Sequence, residues 1–156
     1  MDDSRQKTLL PVAEALLAEW ATATATPTPN RLDVSLVAND LVAAVEALVG
    51  AQWGYLAAIT GLDLGVEAGE LEALYHFCAG ADVVTLRVRV ARDAAVVPSI
   101  CAIIPSASFF ERELMEMLGI TVGGTPNTDR LFLPDEWPDG VYPLRKDFQP
   151  GVKRKT

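Results

Sequence analysis

Four charged residues lie within six consecutive positions of the sequence, at Glu111, Arg112, Glu113 and Glu116. Two neighbouring carboxylates can act as acid and base in hydrolysis, but no second acid pair accompanies these. Arg112 and Glu116 stand at the spacing of an ion pair along a helix, and Glu111 would complement the positive end of that helix. Alternatively, the cluster holds the Arg145–Lys146 segment or a partner loop through charge-assisted hydrogen bonds.

Other residues with chemical potential are few. The chain has one histidine, His76, and two cysteines, Cys78 and Cys101, in unrelated segments. An iron–sulfur cluster needs about four thiolates, and a zinc site needs a denser ligand cluster. His76 lies mid-strand opposite two aromatic neighbours, which is typical of a structural histidine. We therefore expect no catalytic, cofactor-binding or metal-binding residue in this chain. The rival interpretation is a small enzyme that uses Glu111 or Glu113 with His76.

Composition excludes several classes of function. Half of the 156 residues are apolar and the net charge is −8, although five basic side chains and one acidic side chain fall within residues 143–156. An acidic body repels nucleic acid. No apolar run reaches the ~20 residues of a membrane span, and the first residues do not resemble a secretion signal. We expect a cytoplasmic protein that is soluble when isolated and reaches a membrane only through another subunit.

Hydrophobic periodicity and breaker residues predict the elements. Helices are expected at 8–21, at 41–49 after Asn39 or Asp40, at 98–104, and from Ser108 to Leu118. Strands are expected at 31–38, 54–61, 71–79 and 83–91. The Thr/Pro-rich segment 22–30 favours neither state. Ser108 and Glu111 have capping-box spacing, with Ser106 as a second possible cap, and Gly119 stands where a helix C-cap belongs.

The order βαβββα with short turns predicts an α+β fold. An antiparallel sheet of about four strands would carry its helices on one face. The expected organisation is an N-terminal helix and linker over residues 1–30, a domain over residues 31–122, and a tail over residues 123–156. The apolar stripe of the last helix would be Phe110, Leu114, Met117 and Leu118.

The tail combines repeated prolines and glycines with large apolar residues such as Trp137 and Tyr142. Roughly thirty residues without regular structure are unusual in a compact domain. We expect an extended arm laid across a neighbouring protein, with the aromatic residues as anchors. The neighbour would be a foreign subunit or, alternatively, a second copy that exchanges tails.

Two linked motifs resemble one known family. Glu111-Arg112-Glu113-x-x-Glu116 on a helix, followed by Pro143-Leu144-Arg145-Lys146-Asp147-Phe148, is similar to the 30 kDa subunit of respiratory complex I, an NADH dehydrogenase. The resemblance spans about residues 31–150. After the helix that family usually reads Gly-His-Pro-Asp-Leu-Arg-Arg, whereas this chain has Thr125 at the histidine position. Pro126 and Arg130 still match.

A second resemblance concerns the run from Leu133 to Tyr142. It is more similar to the tail of the corresponding subunit of membrane-bound nickel–iron hydrogenases, which are related to complex I. The sequence therefore leaves two kinds of complex open.

The resemblance implies a subunit without a redox centre in the peripheral arm of an NADH:quinone oxidoreductase, at the cytoplasmic face of the inner membrane. Its partners would be the quinone-site subunit, or the hydrogenase large subunit, and neighbouring iron–sulfur subunits. NADH, FMN, iron–sulfur clusters and quinone, or a nickel–iron centre, would belong to those partners. The expected docking residues are Glu111, Arg112, Glu113, Glu116, Arg130, Trp137, Tyr142, Pro143, Leu144, Arg145, Lys146, Asp147 and Phe148.

Overall fold

A computed structural model describes residues 8–151 of the chain. The helices are α1 (Leu10–Leu17), α2 (Leu41–Gly50) and α3 (Ala107–Leu118). The strands are β1 (Ala23–Ala25), β2 (Arg31–Leu36), β3 (Tyr55–Asp63), β4 (Glu70–Ala79), β5 (Asp82–Ala91), β6 (Val96–Pro98) and β7 (Thr121–Gly123). A 3-10 turn, Ala38–Asp40, leads into α2.

Five strands form the main sheet, in the order β1-β2-β5-β4-β3, while β6 and β7 form a separate parallel pair. The predicted α+β class is confirmed, but one pairing differs from the expected antiparallel sheet. β2 and β5 run parallel, because α2 carries the chain across the sheet to β3 before β4 and β5 return as antiparallel neighbours. The sequence signal of short turns is therefore right for β3–β5 and uninformative for β2.

One face of the sheet forms the hydrophobic core. Tyr75 opposes Leu86 and Ala73 opposes Val88, and all four side chains are fully buried. The helices cover this face. α3 approaches so closely that a Cβ added to Gly61 of β3 would lie 2.1 Å from a methyl of Leu118.

The N-terminal helix belongs to the same core. Leu10, Ala13 and Leu17 of α1 are buried among the sheet residues. α1 is shorter than the predicted helix over 8–21, although Pro11 does occupy its first turn.

Charged side chains organise the opposite face of the sheet. The Arg87 guanidinium donates to both carboxylate oxygens of Glu72, at 3.0 and 2.8 Å, and to Asp33 at 2.8 Å. Burial of Glu72 opposes its ionisation, but the hydrogen bonds and charges of Arg87 and Arg89 outweigh burial and lower its pKa. Glu72 is thus held ionised between β4, β5 and β2.

Two predictions about local structure are wrong. The Thr/Pro-rich segment contains β1, whose three exposed residues pair antiparallel with β2. Its composition does not favour a strand, so β1 forms because β2 lies beside it. Residues 98–104 do not form a helix. Pro98 ends β6, and the N–H groups of Ile103 and Ile104 both bind the carbonyl of Ile100 in a single turn.

The start of α3 also differs from prediction. Ser106 is the N-cap residue and makes no side-chain capping bond, while Glu111 points into the core, so there is no capping box. Leu114 and Leu118 are buried as expected. Phe110 and Met117 are only half-buried, and Ala107 and Glu111 complete the buried stripe in their place. Gly119 ends the helix in the left-handed region, at φ 69°, as predicted.

The contact between α3 and β3 gives a stability prediction. Gly61→Ala should lower the free energy of unfolding by about 1–3 kcal/mol, because its Cβ would overlap the buried methyl groups of Leu118 and Leu114. The matched control is Gly50→Ala at the end of α2, where a Cβ would meet nothing within 4 Å. The control should leave stability unchanged or raise it by up to about 1 kcal/mol. Equal effects in urea unfolding would contradict this packing.

Candidate docking surface formed by α3 and the tail

Two side chains of α3 hold the first half of the tail by its backbone. Arg112 donates to the carbonyls of Asp129 and Arg130, both at 2.8 Å. The Glu116 carboxylate accepts the N–H groups of residues 131–133 at 3.2, 2.9 and 2.7 Å. Arg112 and Glu116 therefore serve as a donor and an acceptor for a segment that has no ladder of its own.

Arg130 organises the loop that follows. Its guanidinium donates to the carbonyls of Pro134 and Trp137, both at 2.7 Å, and to Asp139 at 2.9 Å. The Trp137 indole N–H donates to the carbonyl of Val141 at 2.9 Å. The turn has one backbone bond of its own, from the Trp137 N–H to the Pro134 carbonyl at 2.9 Å. Arg130 adds its donors to this turn, where the prolines offer no N–H.

The C-terminal end of α3 forms a second attachment. The backbone N–H of Leu144 donates to the carbonyl of Met117 at 3.1 Å, and the Arg145 side chain donates to that of Leu118 at 2.7 Å. These carbonyls have no partner within the helix. The guanidinium of Arg145 also lies 4.5 Å from the centre of the Tyr142 ring. Tyr142 packs on Gly119 so closely that any Cβ there would overlap the ring.

Asp63, at the end of β3, anchors the last part of the tail. Its carboxylate accepts the backbone N–H of Lys146 at 2.7 Å and that of Gly65 at 2.8 Å. Arg92 forms ion pairs with both Asp63 and the tail residue Asp147. Burial opposes ionisation of Asp63, but the two backbone hydrogen bonds and Arg92 outweigh it and lower the pKa of this carboxyl.

The attached tail leaves large apolar side chains outside. Phe132 is 62% exposed and Leu144 is 57% exposed, and Phe109 on α3 is 61% exposed. Trp137 and Phe148 pack against each other, with ring centres 6.0 Å apart. An open cavity of about 290 Å³ lies between α3 and the tail, with Arg112, Glu116 and Trp137 in its wall. The surface is thus concave and partly apolar, and Glu116 and Arg112 already bind part of its backbone.

Glu111 has a different position from its charged neighbours. It is fully buried, and its carboxylate accepts the backbone N–H of Ile100 at 2.8 Å, the Ser99 hydroxyl at 2.8 Å and the Cys101 thiol at 3.1 Å. Burial raises the pKa of the Cys101 thiol, and the Glu111 carboxylate beside it raises that pKa further. Glu111 therefore fastens the turn before α3, and Cys101 acts as a buried donor.

His76 does not meet these acids. It lies on the open face of the sheet, with its two ring nitrogens 2.9 Å from the Thr60 hydroxyl and 3.0 Å from the Thr85 hydroxyl. Burial, followed by the charge of Arg31, lowers its pKa and favours the neutral ring. Glu111 lies on the core side of the sheet, so the structure does not assemble the His76–Glu111 site of the enzyme interpretation.

Within residues 8–151, no group of three or more histidine, cysteine or acidic residues is placed to hold a metal ion. In the same range, no helix is both long and apolar enough to cross a membrane.

Comparison with known proteins decides the family. The model of the family described as "Respiratory-chain NADH dehydrogenase, 30 Kd subunit" matches residues 34–154, from β2 through the tail. This chain belongs to that family.

Named relatives of this 30 kDa subunit family member fall in two groups. Formate hydrogenlyase subunit 5 of Escherichia coli (strain K12) is 36% identical over 123 residues, which cover 77% of this chain and 22% of the relative. A subunit of the NADH-quinone oxidoreductase of Ruegeria pomeroyi is 37% identical over 123 residues, which cover 76% of this chain and 60% of the relative. The chain thus spans between about a fifth and three fifths of these proteins.

A solved structure shares the fold of this 30 kDa family chain. It is a chain of the membrane-bound sulfane sulfur reductase, an archaeal respiratory membrane complex. The TM-score is 0.76 at 22% sequence identity, over 90% of this chain and 85% of that chain.

The predicted docking residues thus fall into three groups in this family member. Arg112, Glu116, Arg130 and Arg145 bind the chain's own tail or helix carbonyls. Glu111 is buried. The exposed or half-buried remainder comprises Glu113, Trp137, Tyr142, Pro143, Leu144, Lys146, Asp147 and Phe148. The sequence predicted that the tail needs a neighbouring protein to lie against, but the structure shows that α3 supports it. Contact between the outer side of the tail and a partner stays a prediction.

Sequence reasoning missed Asp63 and Arg92 at the attachment point of the tail. Asp63 ends β3 and Arg92 directly follows β5, so in the sequence both look like solvated charges. The sequence offered one signal for this attachment point, because Asp63 is the one charged residue of the otherwise uncharged strand β3. Its partner cannot be read from the sequence, because Lys146 lies 83 positions away.

Removing the Glu116 carboxylate should release the first half of the tail. Glu116→Ala should lower the free energy of local opening of the tail by about 2 kcal/mol, because three backbone N–H groups lose a charged acceptor. Amide hydrogen exchange at residues 131–133 should accelerate while β4 and β5 stay protected. The control is Glu113→Ala on the same helix, whose side chain makes no hydrogen bond with any of the described residues. Equal exchange in both variants would contradict the attachment.

The lowered pKa of Asp63 predicts a pH dependence of stability. The stabilisation is complete above the ordinary value of 3.8 and is lost as pH falls through the lower folded-state pKa. Asp63→Asn should therefore cost stability at pH 7, and the difference from the parent chain should shrink below pH 3.8. Urea unfolding across this range measures it, with Asp135→Asn on the exposed part of the tail as the control. A difference that stays constant down to low pH would refute the role of Asp63.

Proposed function

We propose that this chain is a non-catalytic structural subunit in the peripheral arm of a complex-I-like NADH:quinone oxidoreductase. It would brace the subunit that forms the quinone site and so support electron transfer from NADH to quinone. One observation carries the proposal: the family match runs continuously from β2 through the tail. The redox groups, NADH, FMN, iron–sulfur clusters and quinone, would reside in partner subunits.

The geometry of the tail supports a docking role. Its backbone is already held by Arg112, Glu116 and Asp63, so a partner would not have to order a free chain. A pre-organised surface binds at a lower entropic cost than a flexible one. Exposed Phe132 and Leu144 would then supply the apolar contacts that such an interface buries.

Roles within the predicted docking set follow from this division. Arg112, Glu116, Arg130 and Arg145 would position the tail. Exposed side chains of the tail would contact the partner directly. Three of them, Leu144, Lys146 and Asp147, lie close together in the sequence. Lys146 and Asp147 carry opposite charges, which favours a polar rim around the apolar contacts.

Association with the membrane would be indirect in this proposal. The partner subunits would connect the chain to the cytoplasmic face of the inner membrane. Association with a membrane is consistent with the 42% identity, over 87 residues, to the "Membrane-bound hydrogenase subunit beta" of Pyrococcus furiosus.

A second candidate is the equivalent subunit of a membrane-bound nickel–iron hydrogenase complex. Two observations favour it: the 36% identity to formate hydrogenlyase subunit 5, and the run from Leu133 to Tyr142, which resembles the hydrogenase-type tail. The neighbour would then be the subunit that carries the nickel–iron site.

A tagged full-length chain, purified from detergent-solubilised native membranes, tests both candidates. Co-purification with NADH-driven quinone reduction supports the oxidoreductase, and co-purification with hydrogen turnover supports the hydrogenase. Purification of the chain alone would overturn both.

Two substitutions that add negative charge to the tail test the docking surface. Leu144→Glu combined with Lys146→Glu should reduce recovery of the complex about tenfold, equivalent to about 1.4 kcal/mol of binding. Their backbone N–H bonds to Met117 and Asp63 remain possible, so the free energy of unfolding should stay unchanged. The control is Val66→Glu in the exposed β3–β4 turn, where the side chain is 61% exposed. Equal recovery of both variants would show that the tail is not the interface.

A further inference from the structure

The main sheet ends in two strands of very different length. β1 has three residues, whereas β3 has nine, from Tyr55 to Asp63. β3 is paired on one side only, with β4. Its other side presents backbone N–H and C=O groups that form no hydrogen bond with any residue between 8 and 151. At roughly 3.3 Å per residue, this unpaired edge is long enough to accept another strand.

The edge also lacks the usual protection against strand pairing. Soluble proteins blunt such edges with charges, proline, strong bulges or very short strands. From Tyr55 to Leu62, β3 contains neither a charge nor a proline. A single register shift between Leu56 and Ala58 disturbs its beginning, and the register is regular from Ala58 to the end.

The side chains along the edge leave room for an added strand. Ala57 and Thr60 are exposed, and Leu62 is 44% exposed. On the core side, Gly61 has no side chain at the point where β3 contacts Leu114 and Leu118 of α3. A strand beside β3 would therefore meet small or uncharged neighbours on both faces of the sheet.

The tail contacts the end of β3 through the Asp63 carboxylate. Asp63 is the last residue of β3 and accepts the N–H of Lys146. The proposed docking surface is thus continuous with the unpaired strand, and a partner that covers Leu144 and Lys146 would lie beside the end of β3.

We propose that in the assembled complex β3 pairs with an extended, uncharged strand of a partner subunit, which continues the five-stranded sheet. This inference rests on the proposed function, because it assumes that the chain assembles with other subunits. The backbone of β3 would supply the hydrogen bonds, and Thr60 and Leu62 would select uncharged side chains opposite them.

The small size of the edge argues against a second copy of this chain as the occupant. A stable dimer buries about 800 Å² on each partner, and pairing two nine-residue edges covers far less than that. A strand of a partner that is also held by the tail does not have this limitation. The added strand would then be one part of a larger interface.

Amide hydrogen exchange tests the pairing directly. It would be measured on the isolated full-length chain and on the complex purified through a tag on this chain. In the isolated chain, alternate amides between Ala58 and Leu62 should exchange quickly, because only every second residue bonds to β4. In the complex those amides should slow by about tenfold or more, as expected for newly paired backbone groups.

A charge on the edge gives an independent test. Leu62→Lys should reduce recovery of the complex several-fold, since it places a charge beside the added strand. Val37→Lys is the control, because Val37 follows β2 away from this edge and is 51% exposed. Both variants should retain the unfolding free energy of the parent chain.

The outcomes separate this inference from the proposed function. Recovery of a complex in which the β3 amides stay unprotected, and which Leu62→Lys does not weaken, would overturn the strand pairing and leave the proposed function intact. Protection that appears in the isolated chain and rises with its concentration would assign the edge to a second copy and overturn the proposal. Absence of any complex would overturn both.

Discussion

The structure depends on ionised side chains that take the place of secondary structure for the tail. A proline-rich segment cannot form a helix or a ladder, yet its backbone polar groups still require partners. Glu116 and Asp63 accept its N–H groups, and Arg112 and Arg130 donate to its carbonyls. Each of these bonds involves a charge, which makes it stronger than a bond between neutral groups. The ordered conformation of the tail therefore depends on side chains of α3 and on Asp63 at the end of β3.

This arrangement explains why charges on α3 have unequal environments. Glu111 faces the core and binds the turn before the helix, while Arg112 and Glu116 face the tail. Helical spacing separates these directions, since Arg112 and Glu116 are one turn apart and Glu111 lies on the buried stripe. An ion pair along the helix, the simplest interpretation of the sequence, would have left the tail without its partners.

Much of the fold was predictable because the signals were local. Alternation in β5, the stop at Gly119 and the apolar positions Leu114 and Leu118 each follow from short stretches of sequence. Failures occurred where distant partners decide the outcome. β1 exists because β2 lies beside it, and Glu111 turns inward because Ser99 and Ile100 offer it donors.

The candidate site shows the same division. The residue types were recognisable, but their partners were not, since Arg112 binds carbonyls that carry no sequence signature. Family resemblance pointed to α3 and the tail. It could not distinguish side chains that hold the tail from those that remain outside, because that distinction depends on burial and on Asp63, which lies outside both motifs.

The parallel pairing of β2 with β5 has a consequence for biosynthesis. β2 can join the sheet only after β3, β4 and β5 have been made, since its neighbour β5 ends at Ala91. During translation β2 is therefore made well before its neighbour β5, whereas the strands of the β3–β4–β5 meander pair with strands that follow directly in sequence. Such long-range closure slows folding, and unpaired strands are vulnerable to aggregation until it occurs. Closure of the sheet at β2 thus depends on a strand that is synthesised more than forty residues later.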